Sequence, residues 1–243
     1  MKILKELRIR VYKTTNNIDA CRRFASGHSQ VLTSYGIKKV TSAKTDWFDD
    51  SNVFLIMVES ISGDVIYGGA RLHIKNKGFK LPLEEAIEKL DDNIGNLIND
   101  SLINKTGELC GLWNTRDMSG TGLSAILIRS GIAKAGILIA EKLNLESLYT
   151  LSAPWTINMV KKMGFVIEDT VGDGGQFEYP NPDLIATVLV LKDINTLKLA
   201  TKDERKTILS LREKPHQKRL EEGPKGAIEI EYDLFLDVHN AIK

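Results

Sequence analysis

The chain has few of the residues that bind metal ions or form disulfides. Its 243 residues include two cysteines and four histidines. Cys21 and Cys110 lie far apart, without the spacing of a zinc motif or of a disulfide framework. The histidines are scattered and form no metal-ligand pattern. We therefore expect free thiols, a reducing compartment and no bound metal.

The chain also lacks a long apolar run and a strong net charge. No apolar run approaches the length of a membrane-spanning helix, and the N-terminal MKILKELRIRVYK alternates charged and apolar residues too closely for a signal-peptide core. The formal net charge is +1, which argues against binding to nucleic acid or to an anionic membrane through bulk charge. These absences predict a cytoplasmic protein that binds neither nucleic acid nor membrane.

The apolar pattern predicts a mixed α/β protein. Strand-like runs lie at 5–14, 53–60, 64–75, 107–113, 146–152, 165–170 and 183–193. Helical spacing of apolar residues covers 18–33, 82–102, 123–143 and 153–165. After residue 202 the pattern predicts a helix and a solvated loop. The segment 227–237 then alternates like an edge strand, or like one that pairs with another subunit.

The stretch from Glu108 to Arg129, ELCGLWNTRDMSGTGLSAILIR, reads as strand, glycine-bearing loop and helix. The start of a helix presents unpaired N–H groups, and glycine lets a phosphate approach them closely. The loop is therefore either a pyrophosphate cradle or a simple connector.

Residues 108–165 resemble the GNAT acyltransferase superfamily. An acidic residue opens the strand, Gly120-Thr121-Gly122-Leu123 matches the phosphate loop, and Met163-Gly164-Phe165 ends the short helix. Asp117 stands where the family has a basic or amide residue, with Arg116 one position early. The resemblance implies a GNAT-like α/β mixed-sheet domain at 1–193. Residues 194–243 would form a C-terminal helix-strand extension, packed on that domain or on a partner subunit.

A second segment is similar to the acyl-homoserine-lactone synthases and N-acyl amino acid synthases, which share this fold superfamily. The matching residues are Asp46-Trp47-Phe48-Asp49, Gly69-Ala70-Arg71-Leu72 and Gly107-Glu108-Leu109. Cys110-Gly111-Leu112 stand where the synthases have serine and arginine, which argues against lactone synthesis itself.

The GNAT resemblance implies a site for acetyl-CoA or another acyl-CoA. A bulge on the fourth strand would let the backbone of Leu112, Trp113 and Asn114 pair with the pantetheine arm. The residues implied for the pyrophosphate are Ser119, Gly120, Thr121, Gly122, Leu123 and Ser124.

Acyl transfer to an amine requires a base for the amine and a proton for the leaving thiolate. Glu108 is the candidate base, or else a surface carboxylate that ends a strand. Val160 occupies the position of the tyrosine that is the acid in many GNAT members. Tyr149 is our candidate for that role, and Tyr67, Ser152, Thr156 and water remain open alternatives.

Six further side chains have two interpretations each. Arg71 binds a substrate carboxylate or an internal acid. Glu59 is a reserve base at the substrate or a solvated strand end. Trp47, with Phe48 and Trp155, lines an acyl or acceptor pocket or belongs to the core. Cys110 is a nucleophile or a small buried side chain.

The resemblance implies an N-acyltransferase that moves an acyl group from acyl-CoA to a small-molecule amine by direct attack. One alternative is an autoinducer-synthase-like enzyme that uses acyl-carrier protein or long-chain acyl-CoA to make an N-acyl amino acid or a signal. Its basic docking face would include Lys38, Lys39, Lys44 and Arg71. The other is a non-catalytic acyl-CoA-binding protein. The segment 227–237 would suit a homodimer.

Overall fold

The computed structural model describes residues 3–34, 36–37, 44–100, 105–115, 125–223 and 226–235. The strands are β1 (Ile3–Lys13), β2 (Val53–Glu59), β3 (Ile66–Ile74), β4 (Thr106–Asn114), β5 (Ser147–Ser152), β6 (Val166–Ile167), β7 (Gln176–Glu178), β8 (Ile185–Leu191), β9 (His216–Gly223) and β10 (Gly226–Asp233). The helices are α1 (Ile18–Ser34), α2 (Pro82–Ile87), α3 (Asn93–Asp100), α4 (Ala125–Lys142), α5 (Pro154–Lys162) and α6 (Lys202–Glu213).

These strands form one mixed sheet in the order β6-β8-β5-β4-β3-β2-β1-β10-β9, with β7 also paired to β8. The β4–β5 and β1–β10 pairs are parallel, and the others are antiparallel. The hairpin that the sequence predicts at 53–75 is present as β2 and β3. The predicted mixed α/β fold is therefore confirmed.

Helices cover both faces of the sheet because the strands bury alternate side chains on opposite sides. On β2, Ile56 packs in the core that α4 covers, and Leu55 packs in the core that α1 covers. Helices α2 and α3 cover a third apolar cluster on β5 and β8. Helix α4 is apolar around most of its circumference. The sheet packs on one side of it and α6 on the other.

The C-terminal segment continues the same sheet. Strand β10 pairs with β1 in parallel and with β9 on its other side. The ion pair between Arg8 Nε and Glu231 Oε1, at 2.8 Å, joins β1 to β10. The interpretation of 227–237 as an edge strand is therefore wrong. The predicted loop after α6 is instead β9, whose charged side chains suit an exposed sheet edge.

Two other predicted elements differ from the structure. The predicted helix over 82–102 is divided into α2 and α3. Asp91 accounts for the break, because its carboxylate accepts the N–H of Asn93 at 2.9 Å and that of Gly172 at 2.7 Å. The strand predicted at 165–170 is limited to β6.

The burial of β10 predicts that an alanine substitution on β10 lowers the free energy of unfolding more than one on β9. Ile230 is fully buried, whereas Leu220 on β9 is 45% exposed. Ile230→Ala should lower the free energy of unfolding by about 2–5 kcal/mol. Leu220→Ala should change it by less than about 0.5 kcal/mol. Denaturant unfolding measures both, and equal losses would contradict the position of β10 inside the sheet.

Candidate functional site

The central strands β4 and β5 separate partway along their length. Their ladder contains the pairs Thr106–Ser147, Gly107–Leu148 and Glu108–Tyr149. Strand β4 continues to Asn114 and β5 to Ser152, yet no further ladder pair joins them in the described part of the chain. The sheet is therefore open beyond Glu108, and each strand has a backbone edge without a neighbouring strand.

A bulge on β4 lies at the same place. Between the pairs Gly69–Trp113 and Arg71–Cys110, one β3 residue faces two β4 residues, Gly111 and Leu112. Gly111 has φ +60°, a left-handed conformation that glycine adopts without steric cost. The extra residue bends β4, which is consistent with its divergence from β5. The bulge that the resemblance implies near Leu112 is thus present in the structure.

A cavity of about 190 Å³ passes through this opening from one face of the sheet to the other. On the α1 side it is lined by His28 and Cys110, and on the other side by Leu109 from β4, Ala133 from α4 and Val160 from α5. We call this cavity the passage. Because Leu109 and Cys110 are successive strand residues, their side chains point to opposite faces and both line it.

Two more cavities adjoin the passage. The outer groove, about 520 Å³, is lined by Trp113, Asn114 and Arg129 together with α1 and residues 181–184. The Glu108 chamber, about 160 Å³, is lined by Glu108, Cys110, Leu83, Leu151, Tyr179 and others. Trp155, at the start of α5, lines all three cavities and is 57% exposed. It therefore stands where the three spaces meet.

Glu108 is 1% exposed and lies beneath the start of α2. Its Oε2 accepts the N–H of Leu83 at 2.8 Å. Burial raises the pKa of Glu108 from 4.5 to about 8, against the opposing effects of the Leu83 N–H and the Arg71 charge. Glu108 is therefore not a surface carboxylate. It is a group that can exchange a proton near neutral pH.

Arg71 is 1% exposed and packs against Trp47, which is 4% exposed. The guanidinium carbon lies 4.4 Å from the centre of the Trp47 ring, and Nη2 lies 3.9 Å from Cys110 Sγ. A small cavity of about 70 Å³ is lined by Arg71, Trp47, His73, Lys44, Asp46, Asp50, Glu85 and others. We call it the Arg71 cavity, and Pro82 lines both it and the Glu108 chamber.

Arg71 cannot contribute to the basic docking face that the sequence suggested, because it is buried. Lys44 is committed to an ion pair with Glu85 at 2.6 Å. Lys38 and Lys39 lie outside the described residues. Cys110 is also buried, and desolvation raises the pKa of its thiol to about 12, so it is not an activated nucleophile.

Two predicted site residues lie away from these cavities. Tyr149 is 2% exposed, packs in the cluster beneath α2 and α3, and lines a separate cavity together with Glu146 and Lys192. Glu59 is 2% exposed, within 3.9 Å of Arg10 and 3.6 Å of Arg23. Its interpretation as a solvated strand end is wrong, and it lines none of the cavities described above.

The predicted pyrophosphate cradle cannot be placed. Ser119, Gly120, Thr121, Gly122, Leu123 and Ser124 all lie outside the described residues. The three residues predicted to contact pantetheine are described, and Leu112, Trp113 and Asn114 all line the outer groove. Arg129, which the sequence did not single out, donates from Nε to Asn114 Oδ1 at 2.8 Å and lines the same groove.

The sequence also gave no signal for several other cavity-lining residues. His28 falls within the helix predicted at 18–33, and it is 4% exposed but lines both the outer groove and the passage. Leu184 belongs to the irregular segment before β8 and lines two cavities. Both approach the opening from distant parts of the sequence, so no local spacing relates them to Glu108.

Two other features are absent from the part of the chain that the structure describes. Among the described residues, no group of three or more histidine, cysteine, aspartate or glutamate side chains is arranged to hold a metal ion. In the same part of the chain, no helix combines the length and apolar character needed to cross a bilayer.

No family model matches the sequence, and no curated protein matches it significantly. Solved structures do match in fold. FeeM, an N-acyl amino acid synthase from uncultured soil microbes, has a TM-score of 0.59 and 12% identity, over 82% of this chain and 97% of that one. TofI, solved in a ternary complex with an inhibitor and MTA, has a TM-score of 0.53 and 12% identity, over 82% and 96% of the chains.

BjaI, a CoA-dependent acyl-homoserine lactone synthase solved with SAM and isopentyl-CoA, has a TM-score of 0.52 and 11% identity, over 86% and 90% of the chains. At these identities the similarity establishes the fold. The resemblance in fold to the N-acyl amino acid synthases and the acyl-homoserine-lactone synthases, predicted from the sequence, is confirmed.

The buried carboxyl of Glu108 predicts a pH-dependent effect on stability. Between pH 4.5 and about 8 the folded chain keeps a proton that the unfolded chain has lost, so raising the pH across this range favours unfolding. Glu108→Gln removes this titration and keeps an acceptor for the Leu83 N–H. The melting temperature of the variant minus that of the wild type should increase by several °C from pH 5 to pH 9. A constant difference would show that Glu108 titrates normally.

Proposed function

We propose that the chain is an N-acyltransferase that moves an acyl group from an acyl-CoA thioester to a small-molecule amine at the opening between β4 and β5. The loss of β4–β5 pairing beyond Glu108 carries this proposal. Peptide groups inside a sheet need hydrogen-bond partners, and the pantetheine arm of CoA supplies amide groups that can take the place of a strand. The similarity in fold to BjaI, which was solved with isopentyl-CoA, supports a CoA donor.

In this proposal the donor lies along the outer groove. The backbone of Leu112, Trp113 and Asn114 pairs with pantetheine, and the N–H groups of Ser119–Ser124 hold the pyrophosphate. Arg129 supports this arrangement, because its side chain fixes that of Asn114 beside the groove. The thioester carbon then lies beside the bulge at Gly111, next to the Glu108 chamber.

The acceptor amine attacks the thioester carbon directly. The acceptor attacks as the neutral amine: the C–N bond forms, the electron pair of the carbonyl moves to oxygen, and Glu108 takes one proton from the attacking nitrogen. When this intermediate collapses, the C–S bond breaks and the thiolate leaves. Protonated Glu108, acting through a water molecule, returns the proton to sulfur. We assign this step to Glu108 because Tyr149 packs in the core on another cavity.

For the acceptor we propose a small molecule that carries a carboxylate as well as an amine. The buried Arg71 guanidinium supports this assignment, since a carboxylate is its best-matched partner. The guanidinium packs on the Trp47 ring. Asp46 and Asp50 line the same cavity. An amino acid would reach Glu108 with its amine while its carboxylate faces Arg71. The fold similarity to FeeM, named as an N-acyl amino acid synthase, favours the same acceptor class.

Release of free thiol from acyl-CoA tests this function. With an amino acid panel as acceptors, the wild type should release CoA, with kcat/KM rising as a group of pKa about 8 ionises. Glu108→Gln should lower kcat by about 10²–10⁴-fold and remove this rise, because the base is lost. Glu168→Gln is the matched control: Glu168 is also buried but lines none of the cavities described above, so its variant should stay active.

The same assay separates the alternatives. Turnover with acyl-carrier protein but not with acyl-CoA would support the carrier-protein donor. Binding of acyl-CoA without thiol release from any acceptor would support the non-catalytic protein and contradict our proposal.

We further propose that the acyl chain enters the passage. Its volume slightly exceeds the 150 Å³ of a cavity known to bind benzene, so it has room for about six carbon atoms. Leu109, Ala133 and Val160 make its far end apolar. Val160, at the family's tyrosine position, thus forms a wall of the acyl site.

Val160→Phe should fill the far end of the passage and shorten the preferred chain. The ratio of kcat/KM for hexanoyl-CoA to that for acetyl-CoA should fall by about 10-fold or more, since each buried methylene contributes about 0.8 kcal/mol. The ratio cancels any general loss of active protein. An unchanged ratio would place the acyl chain elsewhere.

A further inference from the structure

His28 lies directly over the bulge where β4 leaves β5. Its Cε1 is 3.7 Å from the position that a Cβ on Gly111 would occupy, and Arg71 Nε is 3.6 Å from the same point. The ring lines both the outer groove and the passage, although the residue is only 4% exposed. The imidazole therefore borders the space that the thioester occupies in the proposed function.

Aromatic packing fixes the orientation of this ring. His28 stacks on Trp113, with ring centres 6.3 Å apart and an interplanar angle of 21°, and Phe24 packs against it at 5.8 Å. Gly27 allows the close approach of α1, because a Cβ there would lie 2.3 Å from Trp113 Cη2. Aromatic packing thus holds the imidazole at the opening.

No described residue makes a hydrogen bond to either ring nitrogen of His28. Buried polar side chains nearly always have such a partner, and leaving one unmade costs about 1–3 kcal/mol. A phenylalanine would pack against Trp113 and Phe24 without this cost. His28 lines two cavities instead, which points to a bound molecule as the partner of its ring nitrogens.

The ring is neutral at physiological pH. Burial, and after it the charge of Arg71, lower the pKa of His28 to about 4. A neutral imidazole carries one N–H donor. In a site with little water, such a donor stabilises a developing negative charge without first having to gain a proton.

We propose that His28 contacts the substrate and donates a hydrogen bond from its neutral imidazole to the carbonyl oxygen of the thioester. This inference rests on the proposed function. As the amine attacks, the carbonyl electron pair moves to oxygen and the hydrogen bond strengthens. As the C–S bond breaks, the carbonyl re-forms. His28 keeps its proton throughout, so the proton transfers remain with Glu108.

Two substitutions separate this role from packing. His28→Phe keeps the aromatic stack and removes the donor, and His28→Gln keeps an N–H donor. His28→Phe should lower kcat by about 10²–10³-fold while the Kd for free CoA changes by less than about threefold, since free CoA has no acyl carbonyl. His28→Gln should recover about 10-fold of this loss. His28→Phe with wild-type kcat would overturn the assignment, because packing alone would then explain the residue.

A second measurement does not depend on turnover. In protein with ¹⁵N-labelled histidine rings, the His28 signals are identified by their loss in His28→Phe. Hexanoyl-CoA should shift the N–H resonance of His28, and free CoA should shift it much less. If both probes bind and hexanoyl-CoA leaves the ring signals unchanged, the His28 assignment is wrong and the acyltransferase proposal stands. If neither probe binds, both proposals fall.

Discussion

The central constraint on this fold is that β4, beyond Glu108, has a paired neighbour on only one side among the strands that the structure describes. A strand inside a sheet normally pairs on both edges, and unpaired peptide groups away from water are costly. Here the bulge at Gly111 turns β4 away from β5. Helices α1 and α5 border the resulting opening without filling it. The fold thus keeps, at its centre, a slot with the hydrogen-bonding capacity of a missing strand.

The side chains at this slot are costly to bury. Glu108 and Arg71 are each 1% exposed, and an isolated charge in such a place would be strongly unfavourable. Glu108 meets this constraint by an upward shift of its pKa. The Arg71 guanidinium packs over Trp47. Both arrangements suit the roles proposed above, which are proton exchange for Glu108 and anion binding for Arg71. Apolar burial elsewhere offsets this cost, as on β10, where Ile228, Ile230 and Tyr232 are fully buried.

Local patterns in the sequence are sufficient for the framework of this fold. The apolar run of β2, the turn before β3, strand β4 and helix α4 each depend on neighbouring residues, so spacing alone predicts them. The split between α2 and α3 could not be predicted in this way, because the Asp91 carboxylate also binds Gly172, a residue far along the chain. Strand β9 was missed because its charged residues are typical of a loop. They form a strand because β10 pairs with them.

In the candidate site, too, some features follow from local sequence and others depend on distant residues. Glu108 was found because it opens a strand within a recognisable motif. Tyr149 was chosen for its chemistry. It pairs with Glu108 in the β4–β5 ladder, but its side chain packs in the apolar cluster beneath α2 and α3. No residue close to His28 in the sequence marks it as more than a core residue of a helix. Its position over Gly111 depends on how closely α1 packs on the sheet, which in turn depends on Gly27.

The most direct measurement is a crystal structure with a non-reactive thioether analogue of hexanoyl-CoA. The pantetheine arm should lie between β4 and β5, hydrogen-bonded to the β4 backbone beyond Glu108, with the acyl chain in the passage. An arm bound elsewhere, with the opening between β4 and β5 empty or closed, would contradict the account at its foundation.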